Sequence, residues 1–157
     1  MASHVFKVYL SYSQLCIFLS SLSQPFNDWS DRNFSQGFSW RPGSVSFRAL
    51  VENGEHQVNL FIDEPVPPIS ESCLRAFQVP FENMDENIEI ASISDSIPLK
   101  ISAGKYSLQV EFLRVVEEMI PEVNLRFNKG KAGFSILRGD DQIVVEGDLD
   151  LMAQPAN

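Results

Sequence analysis

The chain has 157 residues, 44% of them hydrophobic and 21% charged, enough apolar material for a packed core without disulfides or bound metal. A net charge of −9 and an isoelectric point near 4.6 work against direct contact with nucleic acid or an anionic membrane, because phosphate binding needs Lys and Arg to displace counterions. The same charge favours a basic protein partner, or serves only to keep the chain soluble.

Residues 5–22, VFKVYLSYSQLCIFLSSL, carry a short apolar run. Lys7, Ser11, Ser13 and Gln14 interrupt it and no basic region precedes it, so it fits a signal peptide poorly. Phe6, Val8, Leu10 and Tyr12 alternate as a strand does. The expected setting is the cytoplasm, with attachment to a membrane through a partner, or secretion, as alternatives. No stretch approaches the ~20 apolar residues of a membrane-crossing helix.

Residues 28–37, DWSDRNFSQG, suit one short helix near residues 30–36, capped by Asp28 or Ser30 and ended by Gly37. After Pro42-Gly43 the pattern has period 2. Alternation over residues 44–51 and 58–62 predicts two strands, and Asn53-Gly54 between them is a hairpin signal. Pro65, Pro67 and Pro68 make residues 64–72 a loop. The clearest strand is 106–113, where Tyr106, Leu108, Val110 and Phe112 interleave with Ser107, Gln109 and Glu111. Residues 115–121 read as a helical turn before Pro121, and 123–127 and 132–136 as further strands. Strands punctuated by short turns predict an all-β fold, mainly an antiparallel β-sandwich or open barrel, as one domain over 1–152 with 153–157 as a loose tail.

Little in the chain points to catalysis. His4 and His56 have no Cys, Asp or second His at metal spacing, and both are expected at the surface. Cys16 and Cys73 match no zinc or redox spacing and read as two buried free thiols, with a single disulfide as the alternative. GxSxG, GxGxxG and P-loop motifs are absent. Acidic residues cluster as Asp140, Asp141, Glu146, Asp148 and Asp150, as Glu117, Glu118 and Glu122, and as Asp85, Glu86 and Glu89. None has EF-hand spacing. They read either as solvated faces or as a surface for a cationic partner, such as a nuclease's DNA groove. No enzymatic activity, cofactor or metal is expected.

Large aromatics gather at Trp29, Phe38 and Trp40, where they either close one end of a sandwich or anchor a partner. Arg41 is expected to pair with Asp28 or Asp31. The string Tyr12-Ser13-Gln14, Asp28-Trp29-Ser30-Asp31 and Gln36-Gly37-Phe38-Ser39-Trp40-Arg41-Pro42-Gly43-Ser44-Val45-Ser46-Phe47 resembles the competence protein J family, as do Val79-Pro80-Phe81, Ile88–Ile93 and Gly104-Lys105-Tyr106-Ser107-Leu108. The likeness runs from about residue 8 to residue 115 and fades beyond. It implies a bacterial protein that inhibits, or confers immunity against, a basic or metal-dependent DNA-degrading nuclease, with acidic side chains occupying the enzyme's cationic cleft. The contact residues it suggests are Asp28, Trp29, Asp31, Trp40 and Arg41, with the C-terminal Asp140, Asp141 and Asp148 as a second group. The alternative is a non-catalytic β-sandwich that binds lipid or sugar, with or without calcium, on a platform of Trp29 and Trp40.

Overall fold

In a computed structural model, residues 4–145 and 147–156 are described, which leaves Glu146 of the C-terminal acidic group outside the described residues. In chain order the elements are β1 (His4–Leu10), β2 (Gln14–Leu19), α1 (Asp31–Gln36), β3 (Phe38–Arg41), β4 (Ser44–Arg48), β5 (Gly54–Ile62), β6 (Cys73–Asn83), β7 (Asn87–Ala91), β8 (Ser96–Lys100), β9 (Gly104–Leu113), β10 (Glu122–Lys129) and β11 (Ser135–Arg138). They form a six-stranded sheet, β1-β5-β10-β9-β6-β11, and a five-stranded sheet, β3-β4-β2-β7-β8. All pairings are antiparallel except β5 with β10.

Alternation decides what each strand buries. Val58 and Leu60 of β5, Val123, Leu125 and Phe127 of β10, and Leu108, Val110 and Phe112 of β9 face Leu15 and Ile17 of β2, Val45 and Phe47 of β4, and Ile88 and Ile90 of β7 in one cluster that joins the sheets. Of the expected forms, the sandwich is the one observed. Cys16 and Phe18 lie on the other face of β2 and pack with Ala91, under Leu22 and Phe26. Cys16 and Cys73 are free and buried; desolvation raises their thiol pKa values to about 12 and about 11.

Several connections differ from the sequence pattern. Asn53-Gly54 is not a hairpin, because β4 and β5 belong to different sheets and the 49–53 segment crosses between them. The tight turn lies at Tyr12-Ser13, joining β1 to β2 through Gln14 N–H to Ser11 C=O, 3.2 Å, with both central residues at positive φ (55° and 56°). Backbone bonds hold it, Ser13 N–H to Glu52 C=O and Ala49 N–H to Ser13 C=O, each 2.7 Å. Residues 115–121 form a turn with Glu118 at φ 66° rather than a helical turn, and the last strand begins at Ser135 rather than Ala132.

The proline loop has a structural task. β10 and β9 separate β5 from β6 in the sheet, and the inner face is core, so the 63–72 connection passes over the outer face. Asp63 N–H bonds Phe127 C=O at one end of this path and Arg114 N–H bonds Ser72 C=O at the other. Beneath it Gln109, Glu111 and Arg126 are buried although alternation aims them outward. They satisfy one another: Arg126 Nε is 3.2 Å from Glu111 Oε2, and Gln109 Nε2 is 2.6 Å from the same oxygen.

His56 is also buried, at 2% exposure, against the expectation that both histidines lie at the surface; its Nδ1 is 2.9 Å from Gly54 C=O. Alternation places it on the core side of β5, with Val58 and Leu60. Desolvation pulls its pKa below 6.5, and the Gly54 bond opposes this. The folded state therefore binds the proton less readily than the unfolded state, so stability falls as pH drops through the unfolded value. His56→Gln is expected to lose stability less steeply than the parent between about pH 7.5 and pH 5, measured by urea midpoints. Ser13→Gly is expected to raise stability by about 0.5–1 kcal/mol, since glycine adopts positive φ without a Cβ penalty; a lowered melting temperature would contradict the strain reading.

Candidate functional site

The family-like segment folds around α1. Six residues are too few for a helix to stand alone, so its ends carry it. Of the two expected caps, Ser30 is the one used. Its Oγ accepts from Asn33 N–H and its own N–H donates to Asn33 Oδ1, each 3.1 Å, which makes a capping box. Gly37 ends the helix at φ 93°, and a Cβ there would stand 2.6 Å from Phe77 Cζ, so both conformation and packing demand glycine.

The C-terminal segment straps down onto this helix. Val144 N–H bonds Ser35 C=O at 2.9 Å. The Gln36 side-chain amide pairs with the Asp150 backbone on both sides, Nε2 to C=O and Oε1 from N–H, each 2.9 Å. Ala153 N–H bonds Trp40 C=O, Asp28 N–H bonds Gln154 C=O, and Ala156 N–H bonds Phe26 C=O. Residues 153–156, expected to trail loosely, are thus tied to the segment 26–40.

Arg75 of β6 secures the strap's start. It is 1% exposed, and its Nε lies 3.0 Å from Asp140 Oδ2. Nη2 donates to Gln142 Oε1 at 2.8 Å, and Nη1 donates to the carbonyls of Arg48 and Ala49. Gln142 C=O in turn accepts from Arg48 Nη1, which also bonds Phe34 C=O. Burial, then the Arg75 charge, lower the Arg48 pKa, while Asp140 opposes them.

The expected contact residues part company here. Asp31, in the first turn of α1, and Asp148, on the strap, line one groove of about 300 Å³ with Arg32, Ser35, Val144 and Val145. Both carboxylates are exposed, as is Asp141. Asp28 is exposed and accepts from Trp29 N–H. Asp140 is committed to Arg75. Trp40, half-buried, is held by Nε1 to Pro80 C=O at 2.8 Å and by an edge contact with Phe134, and it lines a separate groove with Pro42, Phe81 and Tyr106. Arg41 bonds neither Asp28 nor Asp31. Its Nε donates to Asn27 Oδ1 at 2.7 Å and its Nη2 to Gln24 C=O. Among the described residues no three His, Cys, Asp or Glu side chains gather as a metal set. Sequence reading missed Val144 and Val145, because an isolated apolar pair in an acidic stretch carries no periodic signal, and Arg75, because nothing in CLRAFQV marks the arginine as buried.

Arg75→Met is expected to cost about 3–5 kcal/mol, read from denaturant midpoints, because it strips Asp140 and two carbonyls of their partner. A loss below about 1 kcal/mol, the value of a surface pair, would show that the strap does not depend on it.

The competence protein J family model matches residues 7–128. Two solved structures share the fold. ComJ from Bacillus subtilis, described as an inhibitor of the DNA-degrading activity of NucA, has a TM-score of 0.72 at 19% identity, covering 83% of this chain and 98% of that one. The crocagin biosynthetic gene J product has a TM-score of 0.57 at 14% identity, covering 83% of this chain and 100% of its own. No match was found among curated protein sequences. With the family model spanning most of its length, the chain belongs to the competence protein J family.

Proposed function

We propose that this chain binds and inhibits a DNA-degrading nuclease. Membership of the competence protein J family supports this reading, as does the likeness in fold to a protein described as an inhibitor of such an activity. The observation that carries the mode of action is the groove beside α1, where Asp31 and Asp148 stand exposed in a chain of net charge −9. A nuclease must hold phosphates in a cationic cleft. Carboxylates on a rigid helix–strap surface occupy that cleft in place of phosphates and exclude DNA by charge and by bulk. Val144 and Val145, both exposed, add apolar contact at the same place. No step of this needs a nucleophile or a metal on the inhibitor.

The test is a plasmid-cleavage assay with the nuclease encoded nearest this gene. Cleavage is expected to stop near equimolar inhibitor, and raised salt should relieve the inhibition. Asp31→Asn combined with Asp148→Asn should slow association about ten-fold. Unchanged cleavage at micromolar excess of the intact protein would defeat the proposal.

A further inference from the structure

Another, smaller groove borders α1 at Phe34. Its volume is about 230 Å³, and its lining is Tyr12, Ser13, Gln14, Trp29, Phe34 and Arg48. Tyr12 is 73% exposed and Phe34 53% exposed. The Arg48 guanidinium lies 3.8 Å from the Phe34 ring centre, fixed there by its bonds to the Phe34 and Gln142 carbonyls. Trp29 keeps its indole N–H buried with no acceptor.

Folding does not account for the Tyr12 side chain. Tyr12 occupies the first central position of a turn whose two central residues are at positive φ, where Asn-Gly is the favoured pair. A bulky side chain is costly there, and its ring takes no part in the hydrophobic core. Phe38, Phe47 and Phe77, by contrast, are buried against one another. Exposed Tyr and Phe beside Trp and a pre-set Arg make up the composition that dominates protein-binding hot spots.

Charge selects the occupant. The chain carries −9, Asp28 adjoins Trp29, and the neighbouring groove on the same helix presents Asp31 and Asp148 against one cation, Arg32, while Arg48 in this groove is already engaged by the Phe34 and Gln142 carbonyls. Arg48 on Phe34 displays the geometry in which a guanidinium meets a ring of this groove, and the Tyr12 ring remains open to a second cation. Single-stranded nucleic acid also stacks on aromatic platforms, but a chain of net charge −9 disfavours its phosphates.

We propose that the Tyr12–Trp29–Phe34–Arg48 groove is the anchor site for a lysine- or arginine-bearing segment of a basic protein partner. The identity of that partner rests on the nuclease reading above; the site itself does not.

The test is calorimetric titration of the full chain with an octa-arginine peptide, beside the Tyr12→Asn and Phe34→Ala variants. Asparagine suits the turn, so Tyr12→Asn should fold with an unchanged or higher melting temperature while binding the peptide at least about ten-fold more weakly. Equal affinity in parent and Tyr12→Asn overturns the proposal, as does an absence of peptide binding, or tighter binding of an oligothymidylate of equal length. Peptide binding that Tyr12→Asn abolishes supports the groove even where the nuclease is not inhibited, and that second result counts only against the inhibitor reading.

Discussion

A buried arginine fixes the geometry of the surface around α1. Arg75 enters the interior from β6 and has to satisfy every donor it brings. It does so with Asp140, Gln142 and the carbonyls of Arg48 and Ala49. Those partners come from two separate stretches of chain, so one side chain pins the end of β4 and the start of the C-terminal strap to β6 of the larger sheet. The constraint then propagates. Gln142 positions Arg48, Arg48 lies on Phe34, and Phe34 projects from α1. Both grooves beside the helix rest on this chain of contacts.

The strap also bears on how the chain relates to its family. The family model ends at residue 128, and the Bacillus subtilis neighbour covers 83% of this chain, while the strap runs from about Gly139 to Ala156. Segment 26–40, within the family region, therefore gains an acidic and apolar border from outside it: Asp148, Val144 and Val145. In the proposed reading the shared fold supplies the rigid ridge, and the strap tunes which basic surface the ridge fits. A short helix serves this purpose because caps hold both its ends and Gln36 and Val144 tie it to the strap, so little ordering remains to be done on contact.

Much of the architecture was legible because period 2 is a direct consequence of packing one face of a strand. Tyr106–Phe112, Val58–Ile62 and Val123–Phe127 all became core strands, and Gly37 ended the helix where its missing Cβ is needed. What alternation cannot specify is which sheet a strand joins. Asn53-Gly54 looked like a hairpin because local turn chemistry is blind to a crossing between sheets, and the tight turn at Tyr12-Ser13, which also passes from one sheet to the other, carries neither glycine nor asparagine. Outward-facing polar residues were legible as outward, not as covered: Gln109, Glu111 and Arg126 are buried by the 63–72 connection, whose path depends on strand order. At the site, sequence likeness drew attention to Asp28–Arg41, and the structure then divided those residues. Trp40 and Arg41 make packing and loop bonds, Asp140 pairs with Arg75, and Asp28, Asp31, Asp141 and Asp148 are exposed.

Hydrogen–deuterium exchange on the complex with the nuclease tests the central claim most directly, since it maps contact without altering a residue. The account predicts slowed exchange at residues 12–14, 28–36, 142–145 and 147–149, the surface on and beside α1. Protection confined to the opposite end of the sandwich, around Lys100–Lys105 and Lys129–Ala132, would contradict it.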